Sequence, residues 1–183
     1  GPVKTQILGS STPDKEMQSN RVQNFMNFQL TEQMPEYFDE FERMLFHLPL
    51  IGSAFKKIYY SSTFKRPVSE FIPIDQFYVS YYATDLRNAD RYTHVIYKSP
   101  VELQQDIRAG VYKDIDLPSP SQLSSSGFAN KIDNILGISP SYDSDPQYVL
   151  LEQHCYLELE EEGVACPYIV TVEEQSRQVL SIR

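Results

Sequence analysis

The side chains able to carry chemistry are few: three histidines, two cysteines and one run of three glutamates among 183 residues. His47 lies beside Phe46 and Leu48 in a helical pattern, while His94 and His154 fall in strand-like stretches. No pair of them has the i, i+4 spacing that sets two imidazoles on one helix face for zinc, and none is clustered as metal ligands are. A hydrogen-bonded structural role is therefore the expectation for each. His154 and Cys155 are adjacent, and adjacent strand residues point to opposite faces, so they do not make a nucleophile and its base. Cys155 and Cys166 are too few for a disulfide framework or a cysteine-built zinc site. They could face each other across a hairpin, but two buried thiols in a reducing compartment is the preferred reading. Glu160, Glu161 and Glu162 read as the solvated tip of that hairpin rather than as carboxylates paired for acid–base work. No phosphate-cradling glycine loop, dinucleotide fingerprint or G-x-S-x-G elbow occurs. No enzyme is expected, and no catalytic residue, metal or cofactor is assigned.

A second pattern interleaves basic and aromatic residues: Lys56 and Lys57 precede Tyr59 and Tyr60, and Lys65 and Arg66 follow Phe64. Nucleic-acid readers use such pairs, the cation for phosphate and the ring for stacking. A hairpin with one apolar and one solvated face uses the same letters, and that is the preferred reading. A weak, sequence-independent contact to a DNA backbone stays open as the alternative. The charge layout argues against a strong one. The formal net charge is −9. Residues 1–54 contribute −3, residues 55–113 contribute +3 and residues 114–183 contribute −9, with no Lys or Arg between Lys131 and Arg177. The last third has no phosphate-neutralising face to offer.

These residues need elements to position them. Residues 16–32 contain neither Pro nor Gly, and Val22, Phe25, Met26 and Leu30 fall on one helical stripe. A second helix is expected from about Pro35, with Glu36, Asp39 and Glu40 favouring its positive end and Phe38, Phe41, Leu45 and Leu48 forming its apolar stripe. Pro49 and Gly52 close or kink it. The period then changes. Residues 55–60 and 68–72 read as a hairpin, 77–81 and 92–97 as further strands. Ser99-Pro100-Val101-Glu102 is a capping box with Pro at the first helical position, and Gly110 is placed to end the helix it opens. Residues 114–145 read as a long loop carrying a short helix at 128–136, and 148–158, 168–172 and 179–182 as strands. The fold class is thus α+β: an N-terminal helical pair packed on a mainly antiparallel sheet, with a short capped helix and a long loop excursion. Residues 1–54 form the helical segment and 55–183 the α+β segment of the same domain. The composition, 41% hydrophobic and 22% charged, suits a folded core. No stretch approaches the ~20 apolar residues of a membrane span. A start at Gly1-Pro2 and a strand running to the last residue suggest a piece of a longer chain.

With the helical pair and hairpin in place, the run RVQNFMNFQLTEQMPEYFDEFERMLFHLPLIGSAFKKIYY (21–60) resembles the portal, or head–tail connector, proteins of tailed bacteriophages of the podovirus type. The similarity continues through RPVSEFIPIDQFYVSYYATDL (66–86), THVIYKS (93–99), DIDLP (114–118) and KIDNILGISPSY (131–142) to PYIVTVEEQSRQVLSIR (167–183). It spans nearly the whole chain in order, and its motifs are structural rather than catalytic. The resemblance implies a homo-oligomeric ring, dodecameric in the full-length protein, at one capsid vertex. Double-stranded DNA passes through such rings, and the capsid, terminase and tail proteins dock on them. It implies a location in the virion, and in the host cytoplasm during assembly. The segment resembles the wing region of a subunit that also has stem, clip and crown. Head-to-tail rings close through two different surfaces. Loop 114–145 and the acidic tip at Glu160, Glu161 and Glu162 are accordingly expected near a neighbour's basic central segment, where Lys56, Lys57, Lys65 and Arg66 are the candidate subunit or DNA-backbone contacts.

Overall fold

A computed structural model describes residues 1–120, 131, 134–137, 145–159 and 163–183. The chain opens with an extended segment lying along α1 (Pro13–Phe28). The Asn27 side chain pins it, accepting from the Val3 N–H at 2.9 Å and donating to the Val3 carbonyl at 3.1 Å. Helix α1 starts three residues earlier than the apolar pattern indicates, because Thr12 caps it through the Lys15 N–H and Pro13 occupies its first turn. A π-helical turn (Gln29–Gln33) leads to α2 (Tyr37–Ile51). Pro49 sits inside the last turn of α2, and Gly52 ends it with φ +85°, a left-handed cap that any side chain would strain.

Among the described residues seven strands follow, all paired antiparallel: β1 (Phe55–Ser61), β2 (Arg66–Ile72), β3 (Phe77–Val79), β4 (Arg91–Lys98), β5 (Tyr148–Leu157), β6 (Cys166–Glu173) and β7 (Val179–Ile182). The α+β class expected from the sequence is therefore the fold the chain adopts, with the strands divided into a β1–β2 hairpin and a five-stranded sheet in the order β3-β4-β5-β6-β7. Strand β3 stops two residues short of expectation. The capping box forms as expected. Ser99 accepts from the Glu102 N–H while the Glu102 carboxylate accepts from the Ser99 N–H, opening α3 (Pro100–Arg108).

The core lies where α3 and the segment after it cover one face of the large sheet. Leu103, Tyr112, Leu150 and Leu180 are buried there, with Ile96, Ile107, Ile115 and Leu117 packed around them. Fully burying Leu150 and Leu180 stabilises by roughly 1.5–3 kcal/mol each. Ile115 and Leu117 thus fold the start of the expected loop excursion back onto its own domain. Leu136 and its neighbours 134–135 are helical, and the rest of the helix expected at 128–136 lies largely outside the described residues. The hairpin is a middle layer. Its β2 strand packs against α2, and its other face meets the sheet, with Phe55 against Phe77 at 4.3 Å between ring centroids. Among the described residues, no helix is long and apolar enough to cross a membrane.

Candidate functional site

The hairpin and the sheet leave a cleft of about 590 Å³ between them, lined by β1, β4, β5 and the residues around α3. Its floor follows from strand register. Phe77 pairs with His94, His94 with Glu152, Glu152 with Thr171 and Thr171 with Ser181. Directly paired residues share a face, so a row of four polar side chains crosses the sheet. His94 is 4% and Glu152 6% exposed, and Thr171 is fully buried. His94 Nδ1, Thr171 Oγ1 and Ser181 Oγ have no hydrogen-bond partner among the described residues.

Glu152 is the centre of the row. Its Oε1 accepts from Lys57 Nζ of the hairpin at 2.5 Å and lies 3.3 Å from His154 Nε2, two residues along β5. Burial pushes the carboxyl up, but the His154 hydrogen bond and the charge and hydrogen bond of Lys57 outweigh it and hold it down at about 2. His94 is governed by burial instead: desolvation, reinforced by the Lys57 charge, lowers it to about 4, so the ring is neutral. His154 stacks on Tyr92 at 4.5 Å and 17°. At the rim Lys98 pairs with Asp106 at 2.9 Å, and Thr63 donates to Asp106 at 2.8 Å. Burial raises Tyr59 to about 12 and also raises Glu70.

A carboxylate held at about 2 is a poor proton acceptor near neutrality, and a phenol at about 12 a poor donor. Cys155, next to His154 on β5, points to the opposite face. Among the described residues, no group of three or more His, Cys, Asp or Glu could hold a metal ion. What the arrangement does is clamp the hairpin to the sheet through a half-buried ion pair.

The basic residues singled out in the sequence are mostly turned inward. Lys57 is committed to Glu152. Lys56, its neighbour, points to the other face, where its Nζ sits 4.1 Å from the Tyr37 ring and 5.2 Å from that of Phe41 with no hydrogen-bond partner among the described residues. Burial lowers its pKa. Arg66 pairs with Glu36 at 2.8 Å and donates to the Gln33 carbonyl at 3.2 Å. Lys65 is exposed in the turn at φ +53°, and of the four it alone has no partner among the described residues. The hairpin therefore presents one free cation among the described residues rather than the row of four that a phosphate backbone would need. Glu160, Glu161 and Glu162 lie outside the described residues. Cys155 and Cys166 are both free: Cys166 pairs with Leu157 instead of Cys155, and it is exposed rather than buried as expected. His47 matches its structural reading, its Nδ1 2.7 Å from the Arg43 carbonyl and its ring 4.9 Å from Phe71. His94 departs from it through the unpartnered Nδ1.

Sequence reasoning missed the Glu36 and Glu40 contacts. Glu36 accepts from the Ser69 N–H at 3.3 Å, and Glu40 accepts from the Phe71 N–H at 2.7 Å. Both donors lie on the outward edge of β2, so two helix carboxylates cap a strand edge. Their acidic cluster was visible only as a helix N-terminal preference. The apolar stripe of α2 is the larger surprise. Phe38, Phe41, Leu45 and Leu48 remain 48%, 37%, 50% and 41% exposed. The face turned toward the hairpin is the mixed one of Tyr37, Glu40, Met44 and His47. Helix α1 buries no residue at all.

No protein-family model matches the chain, and no curated protein matches it significantly.

Proposed function

We propose that this chain is the wing-like part of a subunit of a phage portal ring, a structural component through which the genome is packaged and ejected. The observation that carries the reading is the pair of helices whose apolar residues stay largely exposed, Val22, Phe25 and Met26 before the π-helical turn and Phe38, Leu45 and Leu48 after it. Amphipathic stripes specify burial, and a ring subunit supplies the missing cover from its neighbours. The ordered resemblance to portal proteins along nearly the whole chain supports the same reading. The cleft fits it too, since its ionised and neutral groups are arranged to hold layers together. The proposed partners are further copies of the subunit, the capsid, terminase and tail proteins, and double-stranded DNA in the channel, within the virion. The alternative, a DNA-binding module built on Lys56, Lys57, Lys65 and Arg66, loses three of its four cations to internal contacts.

Negative-stain imaging of the full-length subunit tests the reading. Closed rings with a central hole are expected. A protein that stays monomeric at every concentration, or that forms only open filaments, would count decisively against it.

A further inference from the structure

The exposed apolar stripe of α2 has a counterpart elsewhere on the chain. Beyond β3, Tyr81 and Tyr82 are 93% and 90% exposed, and their rings meet edge to face at 5.3 Å. With Tyr78, Val79 and Arg91 they line a shallow pocket of about 410 Å³ on the face of the large sheet away from the hairpin cleft. Arg91 is the one charged residue lining that pocket, and it has no ion-pair partner among the described residues. Beside the α2 stripe, Glu42 is exposed and likewise unpaired among them, since Arg43 turns to Glu40 at 3.0 Å. Among the described residues no hydrogen bond, ion pair or ring contact joins α2 to the tyrosine pocket within the chain. One surface is an aliphatic and phenylalanine ridge edged by a free carboxylate; the other is a tyrosine-lined hollow edged by a free guanidinium.

We propose that these two surfaces bind each other between copies of this chain: the α2 ridge of one copy seats in the Tyr78–Tyr81–Tyr82 pocket of the next, with Glu42 facing Arg91. The chemistry is that of an interface centre, where tyrosine and arginine concentrate and a helix presents i, i+3, i+7 anchors to a groove. Phe38, Leu45 and Leu48 on the ridge and Tyr78, Tyr81 and Tyr82 at the pocket are each 41% or more exposed, so both faces are open to a second copy. Because the two surfaces differ, the contact is heterologous and propagates head to tail. A protein partner suits the pocket better than a nucleic acid, since a chain at −9 with one cation at the site has little to set against phosphate repulsion.

The experiment is sedimentation velocity on the purified chain from about 1 to 100 µM. Wild type is expected to associate with concentration. Leu45→Asp blocks the ridge and Tyr81→Ser with Tyr82→Ser blocks the pocket. Each is expected to weaken self-association at least about tenfold. All these positions are exposed, and circular dichroism melts check that each variant keeps its fold. The decisive arm mixes the two blocked proteins. Each retains the surface the other lacks, so the mixture is expected to form a 1:1 dimer and nothing larger. Glu42→Arg and Arg91→Glu should each weaken association and restore it when combined in one chain. Wild type monomeric throughout, either blocked variant associating like wild type, or a mixture that stays monomeric overturns the proposal. So does a duplex oligonucleotide bound at micromolar affinity and released by the tyrosine substitutions. The inference rests on the ring-subunit reading for the identity of the neighbour, yet the two fail separately. Rings of the full-length protein that survive both blocks overturn the face pair and leave the ring. Blocks that abolish association of a wild type forming only open chains overturn the ring and leave the face pair.

Discussion

Glu152 and His94 face each other across two strands, and burial acts on them in opposite directions. For the carboxyl, pairing with His154 and Lys57 wins over desolvation; for the imidazole, desolvation wins. The consequences for stability add. In the unfolded chain His94 takes up its proton near 6.5, but in the fold only near 4, so the native state loses stability as pH falls between those values. Glu152 adds a further loss between 4.5 and about 2, because the unfolded carboxyl protonates first. Urea midpoints are expected to drop from pH 6.5 to 4 by an amount equivalent to on the order of 3 kcal/mol. His94→Leu should flatten that slope while leaving the loss below 4.5. A midpoint independent of pH across the first window would show that His94 is not buried neutral. The neighbouring lysines give a second contrast. Lys57→Met strands a buried carboxylate and should cost about 3 kcal/mol or more. Lys56→Met removes an ammonium held by rings and by the nearby Glu40 charge, contacts worth on the order of 1 kcal/mol against its desolvation, and should be nearly neutral. Equal costs for the two would refute the inward ion pair. None of this was legible beforehand: Lys57 and Glu152 are 95 positions apart, and a strand pattern shows alternation without naming the partner.

Elements declared themselves in the sequence where punctuation is local. Ser99, Pro100 and Glu102 specify α3 among themselves, and Gly52 ends α2 because only glycine rests easily at φ +85°. The hairpin was readable from its alternating residues and central turn. The packing of α2 was not, because the helix turns Glu36 and Glu40 inward to cap backbone donors of β2, a contact invisible to hydrophobic periodicity. Those carboxylates also keep β2 from pairing with another strand, a standard hazard of a free edge. Glu40→Ala should therefore expose the Phe71 amide. Hydrogen exchange at Phe71 is expected to accelerate at least about tenfold, equivalent to about 1.4 kcal/mol of a charge-assisted bond, with amides of β5 unchanged. Glu40→Gln, which still accepts a hydrogen bond, should recover most of the protection. Uniform acceleration across the sheet would instead mean global destabilisation and would remove the edge-cap role.

At the scale of the whole molecule, association must contend with the net charge. Copies of this size sit about 40 Å apart centre to centre in contact. Two bodies at −9 then repel by roughly 8 kcal/mol in unscreened water, cut to roughly 2 kcal/mol at 0.01 M salt and to a small fraction of 1 kcal/mol at 0.15 M. One exposed Glu42–Arg91 pair contributes about 0–1 kcal/mol in the other direction and is screened by the same salt. At low salt repulsion outweighs that attraction, and the apolar ridge is indifferent to these concentrations. Self-association of the chain should therefore strengthen, by about tenfold, when salt rises from 0.01 to 0.15 M. A surface that worked by gripping phosphate would behave oppositely, since releasing counterions makes DNA affinity fall steeply with salt. Sedimentation equilibrium at the two salt concentrations measures the sign directly. Weaker association at 0.15 M would mean that attraction between charged patches, rather than apolar burial, holds the copies together, and the α2 ridge would lose its place as the centre of the contact.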